Sequence, residues 1–84
     1  MNIIEQAIGH DKAAFMNRVH HVAKESRDHA ETTASAMARE AAIRRHDSAC
    51  ELLNNLYWED VAAIERDVSQ LVIAQHEARH VLAL

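Results

Sequence analysis

The most regular hydrophobic pattern of the chain lies in its last third. Apolar residues recur there at alternating intervals of four and three positions, the spacing that places one face of a helix against a neighbouring helix. We therefore predict a long helix over about 49–83. Its buried face would comprise Tyr57, Val61, Ile64, Val68, Leu71, Gln75, Ala78 and Leu82.

The first half of the chain repeats this spacing less regularly. Phe15, Val19 and Val22 follow it, and alanines then take most of the apolar positions. Asp11 can begin a helix, because its carboxylate accepts hydrogen bonds from the free amides of the first turn. The pattern predicts a long helix over about 11–46. A kink near Asp28 remains an alternative, since the nearby threonines lower helix propensity.

A boundary between the two long helices is indicated at 46–48. Arg44 and Arg45 suit the negative end of a helix dipole, and Ser48 with Glu51 has the spacing of a capping box that opens a new helix. A short turn at this point makes the two helices antiparallel neighbours. The expected fold is a long antiparallel helical hairpin.

A short amphipathic segment precedes the hairpin. Ile3, Ile4, Ala7 and Ile8 share one face of a helix over about 2–9. Gly9 stands where the end of a helix favours a left-handed residue, since glycine has no Cβ to clash. We expect this short N-terminal helix to end there.

Composition supports an all-α fold in a single domain spanning 1–84. The 84 residues include one glycine and no proline, so the turn signals of a β-domain are missing. A two-helix hairpin covers only one stripe of each helix, and so small a domain buries a modest share of its surface. We therefore predict a homodimer in which two hairpins form a four-helix arrangement.

The stretch HEARH has the H-E-x-x-H spacing of zinc hydrolases, two imidazoles one helical turn apart with a glutamate beside them. His76, Glu77 and His80 thus give the alternative function, a zinc hydrolase or metal sensor. Against it, these residues occupy outer positions of the predicted helix, and no second domain forms a substrate cleft. Folding about residue 47 would also gather five histidines at one end: His10, His20, His21, His76 and His80.

Other catalytic signatures are weaker. Glu77 and His80 match the E-x-x-H pattern of di-iron bundle proteins, but Glu77 lies on the outer side of the predicted register. Cys50 has His46 one helical turn away and lacks an evident third orienting group. We expect no enzymatic activity and no cofactor. A lone cysteine fits a reducing, cytoplasmic setting.

Charge favours a protein partner. The formal net charge is −4, and residues 47–84 carry two Lys/Arg against seven Asp/Glu. Nucleic-acid binding needs a basic footprint, and a membrane span needs about 18 or more apolar residues in a run. We therefore expect no nucleic acid and no membrane, and instead a partner protein with a basic surface.

The predicted partner-binding surface lies on the last helix. Trp58 falls outside the regular apolar stripe, and acidic residues, including Asp67, stand near it in the sequence. An aromatic anchor with a charged rim concentrates binding energy and steers the encounter. The residues predicted to bind the partner are Trp58, Glu59, Asp60, Glu65, Val72 and Ile73.

In size and make-up the chain resembles the small helical accessory proteins that bacteriophages use to bind and disable host machinery. This resemblance covers length and composition. It implies a helical interaction module that regulates or inhibits a partner protein, with a phage-type inhibitor of host machinery as one setting.

Overall fold

The computed structural model describes residues 11–83. They form three α-helices: α1 (Lys12–Thr32), α2 (Ala36–Trp58) and α3 (Val61–Ala83). Within this range 92% of the residues are helical and none is in a strand, which confirms the all-α prediction for the described part. The short helix predicted at about 2–9 lies outside the described residues.

The predicted hairpin turn at 46–48 is wrong. These residues lie inside α2, and the chain turns instead at 33–35 and at 59–60. The capping pattern of Ser48 and Glu51 is not used, because the buried face of α2 continues through it from Ala42 to Ala49 and Leu52. The structure therefore has three helices of similar length in place of the two long helices predicted at 11–46 and 49–83.

The first turn comes a few residues after the predicted kink at Asp28. The Thr32 hydroxyl donates a hydrogen bond to the Asp28 carbonyl at 2.9 Å, and the Thr33 amide donates to the His29 carbonyl at 3.0 Å. Ser35 then caps α2, its hydroxyl accepting from the Ala38 amide at 3.2 Å. Hydroxyl side chains compete with the helix for its backbone groups, so this cluster ends one helix and begins the next.

The second turn depends on a left-handed residue. Glu59 has φ 58° and ψ 34°, and the Asp60 amide donates to the Asn55 carbonyl at 3.1 Å. This is the arrangement that commonly closes a helix, although glycine usually holds the left-handed position. The Asp60 carboxylate accepts from the Ala63 amide at 3.2 Å and so begins α3.

The central helix α2 packs antiparallel against both neighbours. At one end of the bundle the Lys12 ammonium lies 2.9 Å from the Glu59 carboxylate, joining the start of α1 to the end of α2. Farther along, the Arg44 guanidinium donates to Glu77 at 3.2 Å, and Arg45 donates to the buried Ser26 hydroxyl at 2.6 Å. Because α1 and α3 both run opposite to α2, they run parallel to each other.

The core lies along α2 and takes residues from all three helices. Its largest fully buried apolar side chains are Leu52, Leu56 and Ile64. The predicted apolar stripe of the last helix is correct from Ile64 to Ala78, which are both buried. It is wrong for Tyr57 and Val61, which are exposed, because the turn at 59–60 interrupts the regular spacing of the helix.

Ile64→Asp should unfold the protein. The carboxylate would replace a fully buried side chain without a partner, which costs about 3–5 kcal/mol. The control is Val61→Asp, one turn earlier, where the valine is exposed and an acidic residue suits the start of the helix. Urea denaturation followed by circular dichroism measures both. Equal stability of the two variants would contradict the assignment of the core.

Candidate interaction surface

Two aromatic rings stand exposed at the end of α2. Tyr57 is 69% exposed and Trp58 71% exposed, and their ring centroids lie 5.2 Å apart with the planes nearly perpendicular. Val61, the first residue of α3, follows across the two-residue turn and is 50% exposed. We call Tyr57, Trp58 and Val61 the tip patch.

Helix geometry explains why these rings face outward. Leu52 and Leu56 lie one turn apart and are both buried, so this side of α2 faces the core. Successive helical residues are rotated by about 100°, which turns Tyr57 and Trp58 away from that side. The helix then ends, so no later turn covers the rings.

Three acidic residues lie close to the tip patch in the chain, Glu59 and Asp60 between Trp58 and Val61 and Glu65 after them, and the first two also have structural roles. Glu59 pairs with Lys12 yet keeps 63% of its side chain exposed, so the pair is a surface ion pair of small energy. Asp60 caps α3. Glu65, one turn after Val61, is exposed. We call Glu59, Asp60 and Glu65 the acidic rim. These residues are close in sequence to the two aromatic residues of the tip patch.

The expectation that Asp67 belongs to this rim is wrong. Asp67 is 7% exposed, and its carboxylate accepts a hydrogen bond from the Asn55 side-chain amide at 2.6 Å. It thus links α2 to α3. Its position between Ile64 and Leu71, three residues after one and four before the other, is the sequence signal that indicates burial.

The predicted residues Val72 and Ile73 lie away from the tip patch. They are 59% and 51% exposed and follow Val61 by eleven and twelve positions, or about 17 Å along the helix. They also face different sides of α3. Ile73 lines a groove shared with Arg44 and Glu77 of α2 and α3, whereas Val72 lines the groove between α1 and α3.

The second of these grooves is mainly apolar, and sequence reasoning missed it because it needs three helices. We call it the α1–α3 groove; its volume is about 350 Å³. The Arg18 guanidinium lies over the Phe15 ring, 5.5 Å from its centroid, at one wall. The lining residues are Phe15, Arg18, Val19, Val22, Leu52, Val68, Leu71, Val72 and Gln75.

The HEARH residues are spread on the surface of α3. His76, Glu77 and His80 are exposed, and the Glu77 carboxylate accepts from Arg44. Among the residues that the structure describes, no three His, Cys, Asp or Glu side chains come together in a way that could hold a metal ion. The zinc-hydrolase and di-iron patterns therefore rest on spacing alone.

The predicted gathering of five histidines relied on the turn at 47 and is wrong in its geometry. Arg45 contacts Ser26 while its neighbour Arg44 contacts Glu77, so Ser26 lies level with the HEARH stretch. His20 is six residues before Ser26, about 9 Å along α1. His10 lies outside the described residues.

Cys50 has a more complete set of partners than the sequence indicated. Its sulfur lies 3.5 Å from His46 Nε2, and His46 Nδ1 lies 3.2 Å from the Asp47 carboxylate. This order of thiol, imidazole and carboxylate is that of a nucleophilic site. Cys50 and Asp47 are exposed on the same helix, however, and such chemistry also requires donors placed to stabilise the developing charge.

Comparison with known proteins leaves this surface unassigned. No family model, curated protein or solved structure matches the chain. No helix in the described range combines the length and the apolar character needed to cross a membrane. A function must therefore be inferred from the residues themselves.

Asp67→Ala should destabilise the fold by about 1–3 kcal/mol, because it leaves the half-buried Asn55 amide without its acceptor. Glu65→Ala, which removes an exposed carboxylate two residues earlier, should change stability by less than about 0.5 kcal/mol. Urea denaturation compares the two. If Asp67→Ala matches Glu65→Ala, the buried hydrogen bond does not hold α2 to α3.

Proposed function

We propose that the chain is a non-enzymatic helical interaction protein that docks through the tip patch onto a partner protein and regulates or inhibits it. The observation that supports this function is the exposure of Tyr57 and Trp58 together at the end of the bundle. Aromatic side chains supply large contact area and dominate the energetics of protein interfaces.

The composition of the core makes this exposure informative. The core is built from aliphatic residues and alanines, with Phe15 packed against it as the one aromatic ring. The chain has one tryptophan and one tyrosine, and both lie at the same corner, outside the core. A single exposed apolar residue is ordinary on a protein surface, whereas a contiguous group is typical of an interaction site.

Charge defines the class of partner. Glu59 and Asp60 lie between Trp58 and Val61 in the chain, Glu65 lies one turn after Val61, and the Lys12 ammonium offsets part of the charge of Glu59. An acidic rim attracts a basic surface and repels other acidic proteins, which affects the association rate more than the final affinity. We therefore propose a partner with a basic surface surrounding an apolar pocket.

The proposed surface differs from the one predicted from sequence. It comprises the tip patch with Glu59, Asp60 and Glu65, and so adds Tyr57 and Val61 to the predicted residues. Val72 and Ile73 line separate grooves and do not belong to it. A second copy of the chain is the alternative occupant of the tip patch, as part of a homodimer in which Trp58 is buried.

Trp58→Ala should weaken partner binding by about 2 kcal/mol, roughly thirtyfold, and leave folding unchanged because the ring is mostly exposed. A photoreactive aromatic residue in place of Tyr57, which keeps Trp58, identifies the partner in cells, and calorimetry then measures its affinity. Met37→Ala is the control, since Met37 is 60% exposed near the opposite end of α2.

Two results would count against this proposal. Full affinity of Trp58→Ala for the crosslinked partner would place the binding face elsewhere. Light scattering that shows a wild-type dimer, reduced to monomer by Trp58→Ala, would assign the tip patch to self-association.

Replacing Glu59 and Glu65 with lysine should slow association by up to about tenfold at low salt and remove most of its salt dependence. Asp60 is left unchanged because it caps α3. Glu40→Lys changes an exposed carboxylate at the opposite end of the bundle and is the control. Stopped-flow mixing with the crosslinked partner measures the rates. An unchanged association rate would show that the acidic rim does not steer the encounter.

A further inference from the structure

We propose that two copies of the chain pair face to face across their α1–α3 grooves, antiparallel, about a twofold axis that crosses the helices level with Val22 and Val72. Tyr57 and Trp58 take no part in this pairing, so the inference goes beyond the proposed function and does not depend on it. It assigns an occupant to the apolar surface that the three described helices leave open.

The groove presents a contiguous apolar surface. Leu52 of α2 is its buried floor, Val22 of α1 and Val68 of α3 are half-buried in its walls, and Val72 stands 59% exposed beside them. A single exposed valine is ordinary, whereas a group of apolar side chains along two helices is typical of an interaction surface.

The cross-helix contacts define the register between the two walls of the groove. Ser26 of α1 lies level with Glu77 of α3, because adjacent arginines of α2 contact them. Since α1 and α3 are parallel, each residue of α1 lies level with the residue about 50 positions later in α3. Val22 therefore lies level with Val72, and both line the groove.

Charged side chains flank the apolar centre of α1. Arg18 lies four positions before Val22 and Glu25 three positions after it, so all three share one side of the helix. Arg18 is exposed, and the Glu25 carboxylate lies 3.6 Å from His21 in a surface contact that leaves 61% of the glutamate side chain exposed. The α1 wall is therefore basic nearer the 59–60 end of the bundle and acidic nearer the 33–35 end.

The charges of the α3 wall have the opposite order. Glu65 lies seven positions before Val72 and Arg79 seven positions after it, two helical turns in each direction, and both charged residues are exposed. The midpoint of this pair is Val72, and the midpoint of the α1 pair lies beside Val22. The two charge patterns are therefore centred at the same level of the groove.

A second copy turned about a twofold axis at this level matches each of these charges with an opposite one. The rotation lays α1 on α1 and α3 on α3, antiparallel, and every contact occurs twice. Arg18 then meets Glu25 of the second copy, and Glu65 meets Arg79. A parallel pairing would instead lay α1 on α3 and bring Arg18 against Val68, which carries no charge. Charge complementarity thus favours the antiparallel dimer.

The face has the size that a stable dimer needs. The bundle measures 40 by 18 by 16 Å, so one long side approaches the about 800 Å² per partner that a standard interface buries. The groove side chains would form an apolar centre and the charged residues a polar rim, the usual arrangement of an interface. Six helices around one core also bury a larger share of each chain than three helices do, which matters most for a small domain.

The first test exchanges the charges of α1 in the whole chain. We expect Arg18→Glu to raise the dissociation constant of the dimer at least about tenfold, because it sets two carboxylates against each other at two symmetric places. Glu25→Arg should do the same with two guanidinium groups. The double variant should return to within about threefold of the wild type. The two positions lie about 10 Å apart on one helix, so this rescue arises between copies. Analytical ultracentrifugation measures all four proteins.

The second test locates the axis by crosslinking with a short bismaleimide, with Cys50 replaced by serine. Val72→Cys should crosslink to its own copy, because residue 72 lies at the axis. Ile73→Cys has similar exposure on the other side of α3 and should not crosslink. Val61→Cys should not crosslink either, since eleven positions from the axis separate its two copies by about 33 Å. Circular dichroism confirms that each variant is folded.

Three results would overturn the inference. One is a wild-type chain that sediments as a monomer at about 100 μM. Another is a charge-exchanged double variant that dimerises as weakly as the single variants. The third is a dimer that crosslinks through Val61→Cys and is lost in Trp58→Ala, which would assign self-association to the tip patch. A dimer that persists in Trp58→Ala supports the groove interface and leaves the test of partner binding at the tip patch separate.

Discussion

The structure depends on the ability of α2 to be buried on two sides. Its alanines at 38, 41, 42 and 49 and its leucines at 52 and 56 are all buried, and they supply the surface against which both α1 and α3 pack. Small side chains allow close approach at one end, while leucines fill the other. Every other feature follows from this central position, including the parallel orientation of α1 and α3 and the groove that lies between them.

The burial of α2 on two sides also explains which of the capping sequences in the chain begins a helix. Ser48 with Glu51 is a better capping pattern than Ser35 with Ala38, yet only Ser35 begins a helix. A capping side chain contributes about 1 kcal/mol, whereas a break at Ser48 would uncover a continuous buried face. Sequence reasoning therefore predicted helix content and the Ile64–Ala78 stripe, and misplaced the turn. The sequence did not indicate the turn at Glu59, because the left-handed position there is held by a glutamate and not by glycine.

The candidate site was predictable only where it depends on local geometry. The outward position of Trp58 follows from its place outside the apolar stripe, and the structure places its ring at the surface. Tyr57 was wrongly assigned to the core because the stripe was extended across a turn. The hydrogen bond that pairs Asp67 with Asn55 and the α1–α3 groove both depend on contacts between helices, which a periodic pattern in one helix does not contain.

The two ends of the bundle expose different side chains, and this difference favours one orientation of a bound partner over the others. At the 59–60 end lie the two aromatic rings, with Glu59, Asp60 and the exposed Glu65 next to them in the chain. At the 33–35 end the turn consists of small residues, Met37 is the exposed large apolar residue nearby, and Arg39 donates to the Thr33 carbonyl. The bundle is 40 Å long, so its two ends present separate surfaces. Aromatic area and negative charge coincide at a single end, so a basic partner with an apolar pocket gains from both only in one orientation.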